Sequence, residues 1–141
     1  MKIDNFDSNI IKLFDQIGEP VYFEKGINLI TEGEQLKHIF LLIYGRCQVF
    51  LPLLNCEKAR ITQSTLAYLG EGSLIGEMNF IDGLKASASV QAITDVKCLK
   101  IDSKILAAHL ENNHKDAASF YRSVSQDLTY KVRANNKKFD Y

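Results

Sequence analysis

The repeat period of the apolar residues changes twice along this chain, and that change limits the fold more than any other feature of the sequence. From Ser8 to Ile17, the residues Ile10, Ile11, Leu13, Phe14 and Ile17 fall at helical spacing behind an Asp7/Ser8 cap. Gly18 and Pro20 stop that helix, predicted over 8–17. From Val21 to Ile101 short β-branched and aromatic runs alternate with turn signals at Gly26, Gly33, Gly45, Glu57 to Lys58, Gly70 to Gly72 and Asp82 to Gly83. After Ile101 the helical period returns, with Ser103 as cap of a helix through Glu111 and a longer helix over 115–134. Many short strands at this spacing predict a sandwich, barrel or jelly roll. The 141 residues suit one domain with one core, and a second full domain does not fit. The expected architecture is therefore mainly β (α+β) and a single domain over 1–141: an eight-stranded β-roll at 21–101, one N-terminal helix, and two C-terminal helices within 103–134.

Two segments carry finer expectations. Ala86 to Ala92 reads as the clearest strand, with Ala86, Ala88, Val90 and Ala92 on one face and Ser87, Ser89 and Gln91 on the other. The long helix carries a stripe of Ala117, Phe120, Tyr121, Val124, Leu128 and Val132. That stripe either covers the roll of its own chain or forms the seam of a homodimer. Lys131, Arg133, Lys137 and Lys138 read as a capped helix end followed by a solvated tail.

Charge and composition exclude several classes of function. Seventeen Lys and Arg balance seventeen Asp and Glu, so no global field draws the chain to nucleic acid or to an anionic membrane. The longest aliphatic and aromatic run, Ile39 to Tyr44, is far short of the roughly 18 residues of a membrane span. The N-terminus lacks the pattern of a secretory signal, which points to a soluble, cytoplasmic protein. Cys47, Cys56 and Cys98 form no CxxC pair and read as free thiols. His38, His109 and His114 are scattered, so neither a metal site nor a catalytic residue is expected, and no resident cofactor.

The segment from Leu69 to Gly83 has the most chemistry. A strand ending at Gly76 and opening into a short helical turn at Glu77 to Phe80 leaves backbone N–H groups pointing one way, as a phosphate cradle does. Gly76 lets a ligand approach the backbone, and Glu77 is placed to accept hydrogen bonds from a sugar hydroxyl. Glu77 also has a plainer reading, in which it only complements the dipole of a short helix.

Together with Phe23, Gly26, Leu29, Gly33, the run Ile39 to Gly45, Val49, Gly72, Ile75 and Ser87 to Val90, this segment resembles the cyclic-nucleotide-binding domain family. That family includes the sensor modules of the catabolite activator protein and of protein kinase A regulatory subunits, and the likeness extends over about Ser8 to Ala134. The resemblance implies a ligand site at Gly76, Glu77, Met78, Asn79, Lys85, Ala86 and Ser87, taking cAMP or cGMP. It also implies that the C-terminal helix serves as lid and often as dimer seam.

The chain departs from the family at the position that matters most. Laid on the family's phosphate cassette without a gap, Ala86 stands where an arginine grips the cyclic phosphate. Loss of a charge-assisted hydrogen bond of about 1.5 to 3 kcal/mol, with the added cost of an unpaired buried anion, weakens binding by roughly one to three decades. Lys85 is the candidate substitute, but alternation from Ala86 aims it at the opposite face of the strand. Asn79 replaces a small residue and either donates to a ligand or satisfies a turn. The sequence thus predicts a non-enzymatic regulatory domain with weakened or altered cyclic-nucleotide binding, signalling to a protein partner or a second copy through the helix 115–134. Two alternatives stand beside it: a degenerate domain that acts as a docking or dimerisation module, and, less favoured, a cupin-like enzyme. With only Asn135 to Tyr141 beyond the long helix, no DNA-reading unit is expected.

Overall fold

The computed structural model describes residues 8–55 and 60–138; the Asp7 cap, the Glu57 to Lys58 turn and Cys56 lie outside them. Eight strands form two antiparallel sheets: β1 (Gly18–Phe23), β2 (Asn28–Ile30), β3 (His38–Tyr44), β4 (Cys47–Asn55), β5 (Arg60–Leu69), β6 (Leu74–Ile75), β7 (Ser89–Ala92) and β8 (Val96–Asp102). One sheet has the order β1-β8-β3-β6 and the other β2-β7-β4-β5. The four helices are α1 (Ser8–Ile17), α2 (Glu77–Asp82), α3 (Ser103–Asn112) and α4 (His114–Lys138). The expected roll, flanked by one helix before and two after, is the fold observed, and the turn at Glu77 completes a short helix.

Within the first sheet β3 is covered on both faces, which explains its composition. Ile39 and Leu41 of β3, Leu74 of β6, and Leu99 and Ile101 of β8 face a core shared with Ile10, Leu13 and Phe14 of α1, Leu106 and Leu110 of α3, and Phe120 and Val124 of α4. The alternate residues Phe40, Leu42, Ile75, Val96 and Cys98 face the inside of the roll, against Leu29, Ile30, Cys47, Leu69, Val90 and Ala92. A strand buried on both faces needs no polar alternation, and this accounts for the apolar run Ile39 to Ile43. Cys47 and Cys98 are buried free thiols inside the roll. Burial pushes the Cys47 thiol up to about 11 and, with Cys47 nearby, the Cys98 thiol to about 12.

Helix ends place α4. Asp102, not Ser103, caps α3: its carboxylate accepts from the Ile105 N–H at 3.0 Å, a bond that holds Asp102 below its ordinary pKa. Ser103 is then the first helical residue. The chain turns at Asn113, whose side chain accepts from the Asp116 N–H at 3.1 Å, and α4 runs on to Lys138, four residues beyond the expected end. His109 Nε2 lies 2.8 Å from Asp116 Oδ2 and fastens α3 to the first turn of α4. Phe120 anchors the middle of α4, in edge contact with Phe14 of α1 and Phe80 of α2 at centroid distances of 6.1 and 5.5 Å.

The expected stripe on α4 divides. Val124 is buried in its own chain, and Ala117 and Leu128 pack against the same core, whereas Tyr121 and Val132 are largely exposed. The inward face of the helix runs instead through Phe120, Val124, Asp127 and Lys131, at i, i+4, i+7 and i+11.

Candidate ligand site

The roll opens on a cavity of about 330 Å³. Strand walls supply Ile30, Val49, Leu69 and Val90; the segment after β6 supplies Gly76, Glu77 and Met78; and α4 supplies Leu128, Lys131 and Val132. Ala86, Ser87 and Ala88 complete it. The volume falls at the lower end of the range for small-molecule sites, about 300 to 1,000 Å³, and the lining is mainly apolar with few polar groups, as such sites are.

The chain reverses at Gly76 to begin α2, with φ of +89°, a left-handed conformation that favours glycine. A side chain there would also crowd the His38 carbonyl at 3.3 Å. Glu77 follows as the first residue of α2, and its side chain turns inward and is buried. Met78, half exposed, lies at the cavity edge. Asn79 is occupied at the far end of α2: its side-chain amide donates to the Leu84 carbonyl, and its own carbonyl accepts from the Gly83 N–H at 2.7 Å. Of the two readings of Asn79, the structure supports the turn.

The segment 83–88 differs from the sequence expectation. Ladder pairing begins only at Ser89, so the strand is Ser89–Ala92 and not Ala86–Ala92. The reason is a contact distant in sequence: Ala86 is pinned outside the ladder by two backbone bonds to the Gly33–Glu34 turn, its N–H donating to the Glu34 carbonyl at 3.0 Å and its carbonyl accepting from the Gly33 N–H at 2.8 Å. Alternation therefore does not govern these residues. Ser87 lines the cavity together with Ala86 and Ala88, and Ser89 is buried, its hydroxyl accepting from the Glu32 N–H at 2.9 Å. Lys85 is exposed and does not line the cavity, although the period-two argument that excluded it does not hold in this loop.

The residue that the sequence reading missed is Lys131. It was expected in a solvated helix end, yet its ammonium is buried beneath α4, with the side chain only 19% exposed. It donates to Glu77 Oε1 at 2.9 Å and to the Leu74 carbonyl at 2.8 Å, and it lies 2.7 Å from Asp127 Oδ2 as an ion pair. Asp127 is fully buried, and its carboxylate oxygens have no hydrogen-bond partner among the described residues. Burial pushes the Asp127 carboxyl above its ordinary pKa, and the nearby ammonium offsets only part of that. Burial alone would pull Lys131 down, but Glu77 and Asp127 together outweigh it and hold the ammonium above 10.5. The Asp127/Lys131 spacing of i, i+4 was the available signal, since such pairs share one helix face.

The class that the fold and site define is a β-roll with a cavity between the segment after β6 and a C-terminal helix. The chain belongs to the cyclic nucleotide-binding domain family, whose model matches residues 20–113. It is 34% identical over 85 residues to a cAMP-dependent protein kinase regulatory subunit from Candida albicans, covering 60% of this chain and 16% of that protein. It is 21% identical over 122 residues to a CRP-like cAMP-activated global transcriptional regulator from Mycobacterium tuberculosis, covering 86% of this chain and 51% of that protein. The chain thus spans about half or less of the length of these relatives. In fold it is similar to a cyclic nucleotide-binding domain from Methylobacillus flagellatus, with a TM-score of 0.81 and 24% identity over 94% of this chain and 72% of the other. No helix among the described residues is long and apolar enough to cross a membrane.

Proposed function

We propose that this chain is a non-catalytic sensor domain whose cavity takes a cyclic nucleotide, cAMP or cGMP, with weakened affinity, and whose α4 carries the response to a partner protein or a second copy. The observation that carries this reading is the shared wall of the cavity: Gly76, Glu77 and Met78 of the cassette and Leu128, Lys131 and Val132 of α4 bound the same space. A ligand there touches both the roll and the helix, so binding energy is available to move one against the other. Gly76 gives close backbone approach, Glu77 is the acceptor for a sugar hydroxyl, and Ala86 and Ser87 flank the phosphate position. Met78 supplies an apolar edge, while Asn79 shapes the turn and Lys85 stays in solvent.

The weakness follows from charge. Lys131 is the one cation among the described lining residues, and it is already shared between two carboxylates. With Ala86 in place of an arginine, no unpaired cation meets the phosphate. Calorimetric titration of the full chain with cAMP, cGMP and cyclic dinucleotides tests the reading. Dissociation constants from high micromolar to millimolar for a cyclic mononucleotide are expected, and low-micromolar binding would overturn the assigned weakness. A second reading, a docking module that has lost its ligand, is favoured by the Lys131 contact that already occupies Glu77. It predicts no heat with any nucleotide.

A further inference from the structure

The contact between α4 and the cassette has the form of a clasp. Three groups hold the ammonium of Lys131: it donates to Glu77 Oε1 and to the Leu74 carbonyl, and it is ion-paired with Asp127 Oδ2. Leu74 and Glu77 belong to the roll and its cassette, and Asp127 belongs to α4 itself. Every polar link that Lys131 makes to the roll therefore joins the far half of α4 to the rim of the cavity. Glu77 in turn has Lys131 as its side-chain partner, and its buried carboxylate needs a replacement before it can give up that cation.

We infer that Lys131 is an internal competitor for the ligand site: it clasps α4 over the cavity by holding Glu77 Oε1, and a ligand hydroxyl that takes this oxygen displaces it and releases the second half of α4. The inference rests on the reading of the cavity as a ligand site, but the clasp itself needs no ligand to be observed. It also assigns a direction to the response. Occupancy loosens the helix beyond Val124, while the part before it stays fastened by Phe120 and by the His109 and Asp116 contact.

The test has two arms on the full chain. The first measures amide hydrogen exchange without ligand in wild type, Lys131→Met, Glu77→Gln and the double variant, with circular dichroism to verify folding. Exchange over 125–138 is expected to rise at least tenfold in each single variant, and no further in the double variant than in Lys131→Met alone, because the Glu77 contact is one of those that Lys131→Met already removes. The double variant removes one charge of each sign and keeps the arm readable if a single variant fails to fold. Unchanged exchange in the double variant, or effects that add, would overturn the clasp. The second arm titrates cAMP into Ala86→Arg and Ala86→Arg/Lys131→Met. Loss of the competitor is expected to tighten binding by tenfold or more; weaker binding would overturn the competition and make Lys131 a ligand partner. Raised exchange without cAMP binding in any variant upholds the clasp and overturns the ligand reading, whereas unchanged exchange with binding intact overturns the clasp alone.

Discussion

Replacing Ala86 by arginine tests the proposed placement of the phosphate at this position. Ala86 is partly buried on the cavity wall, and its backbone is fixed by the two bonds to the Gly33–Glu34 turn, so a longer side chain starts from a defined point. Those bonds use only main-chain atoms and survive the substitution. The new guanidinium enters a space whose one lining cation is held by Glu77 and Asp127, so it is the first cation free to meet a phosphate. A hydrogen bond between charged partners is worth about 1.5 to 3 kcal/mol. At about 1.4 kcal/mol per tenfold this is a gain of roughly one to two decades in affinity. The upper end of the three-decade range is not expected, because Ala86 keeps part of its surface in water and solvent screens the pair. Titration calorimetry with cAMP and cGMP measures the gain, and the salt dependence of the dissociation constant distinguishes an ion pair from a shape effect. Glu77→Ala in the same background should then weaken binding. An Ala86→Arg variant that is folded and gains nothing would refute the placement of the phosphate and leave the docking module as the better reading.

Three further outcomes follow from the structure. Val124→Lys places an ammonium in a core position that is 3% exposed, so a loss of about 3 to 5 kcal/mol is expected in thermal or urea melts. A variant that melts like wild type would show that Val124 is not packed in its own chain. Asp127 has a folded-state pKa raised above 3.8 by burial, so the folded state holds its proton more tightly than the unfolded chain. Its contribution therefore falls as pH rises from the unfolded value through the raised folded one; Asp127→Asn should flatten that part of the stability profile, and an unaltered slope would count against the assignment. In a Cys56→Ser background, Cys47 and Cys98, with thiols at about 11 and 12, should stay unreactive to a thiol reagent at pH 8 until the protein is unfolded. Fast modification of the native state would contradict their burial.

Period and turn chemistry made most of the architecture legible. Helical spacing at Ile10 to Ile17 and the glycine-bounded runs after Val21 reflect local preferences that tertiary packing reinforces, and α1 and the roll follow from them. The strand at Ala86 misled because its alternation is real but its ladder is not: a turn more than fifty residues earlier takes the backbone bonds of Ala86, and no local pattern reports that. The phase of α4 was hard to read for a different reason. Its inward face continues from Phe120 and Val124 into Asp127 and Lys131, so hydrophobicity fades where burial persists. A charged pair on one helix face looks like solvent-facing surface until the cassette opposite it is known. Gly76 and Glu77 were legible as a candidate site because their spacing is local, whereas the partner of Glu77 comes from a helix fifty-four residues away.

The edge contacts of Phe120 with Phe14 and Phe80 make that ring a fulcrum for α4. Eleven residues separate it from Lys131, a lever arm of roughly 16 Å at about 1.5 Å per residue. A tilt of about ten degrees on that arm carries Lys131 by roughly 3 Å, as far as its separation of 2.9 Å from Glu77. A rotation of that size at the aromatic pivot would break the ion pair, and it would press on α1 through Phe14 and on α2 through Phe80. One ring thus links three helices that are far apart in sequence.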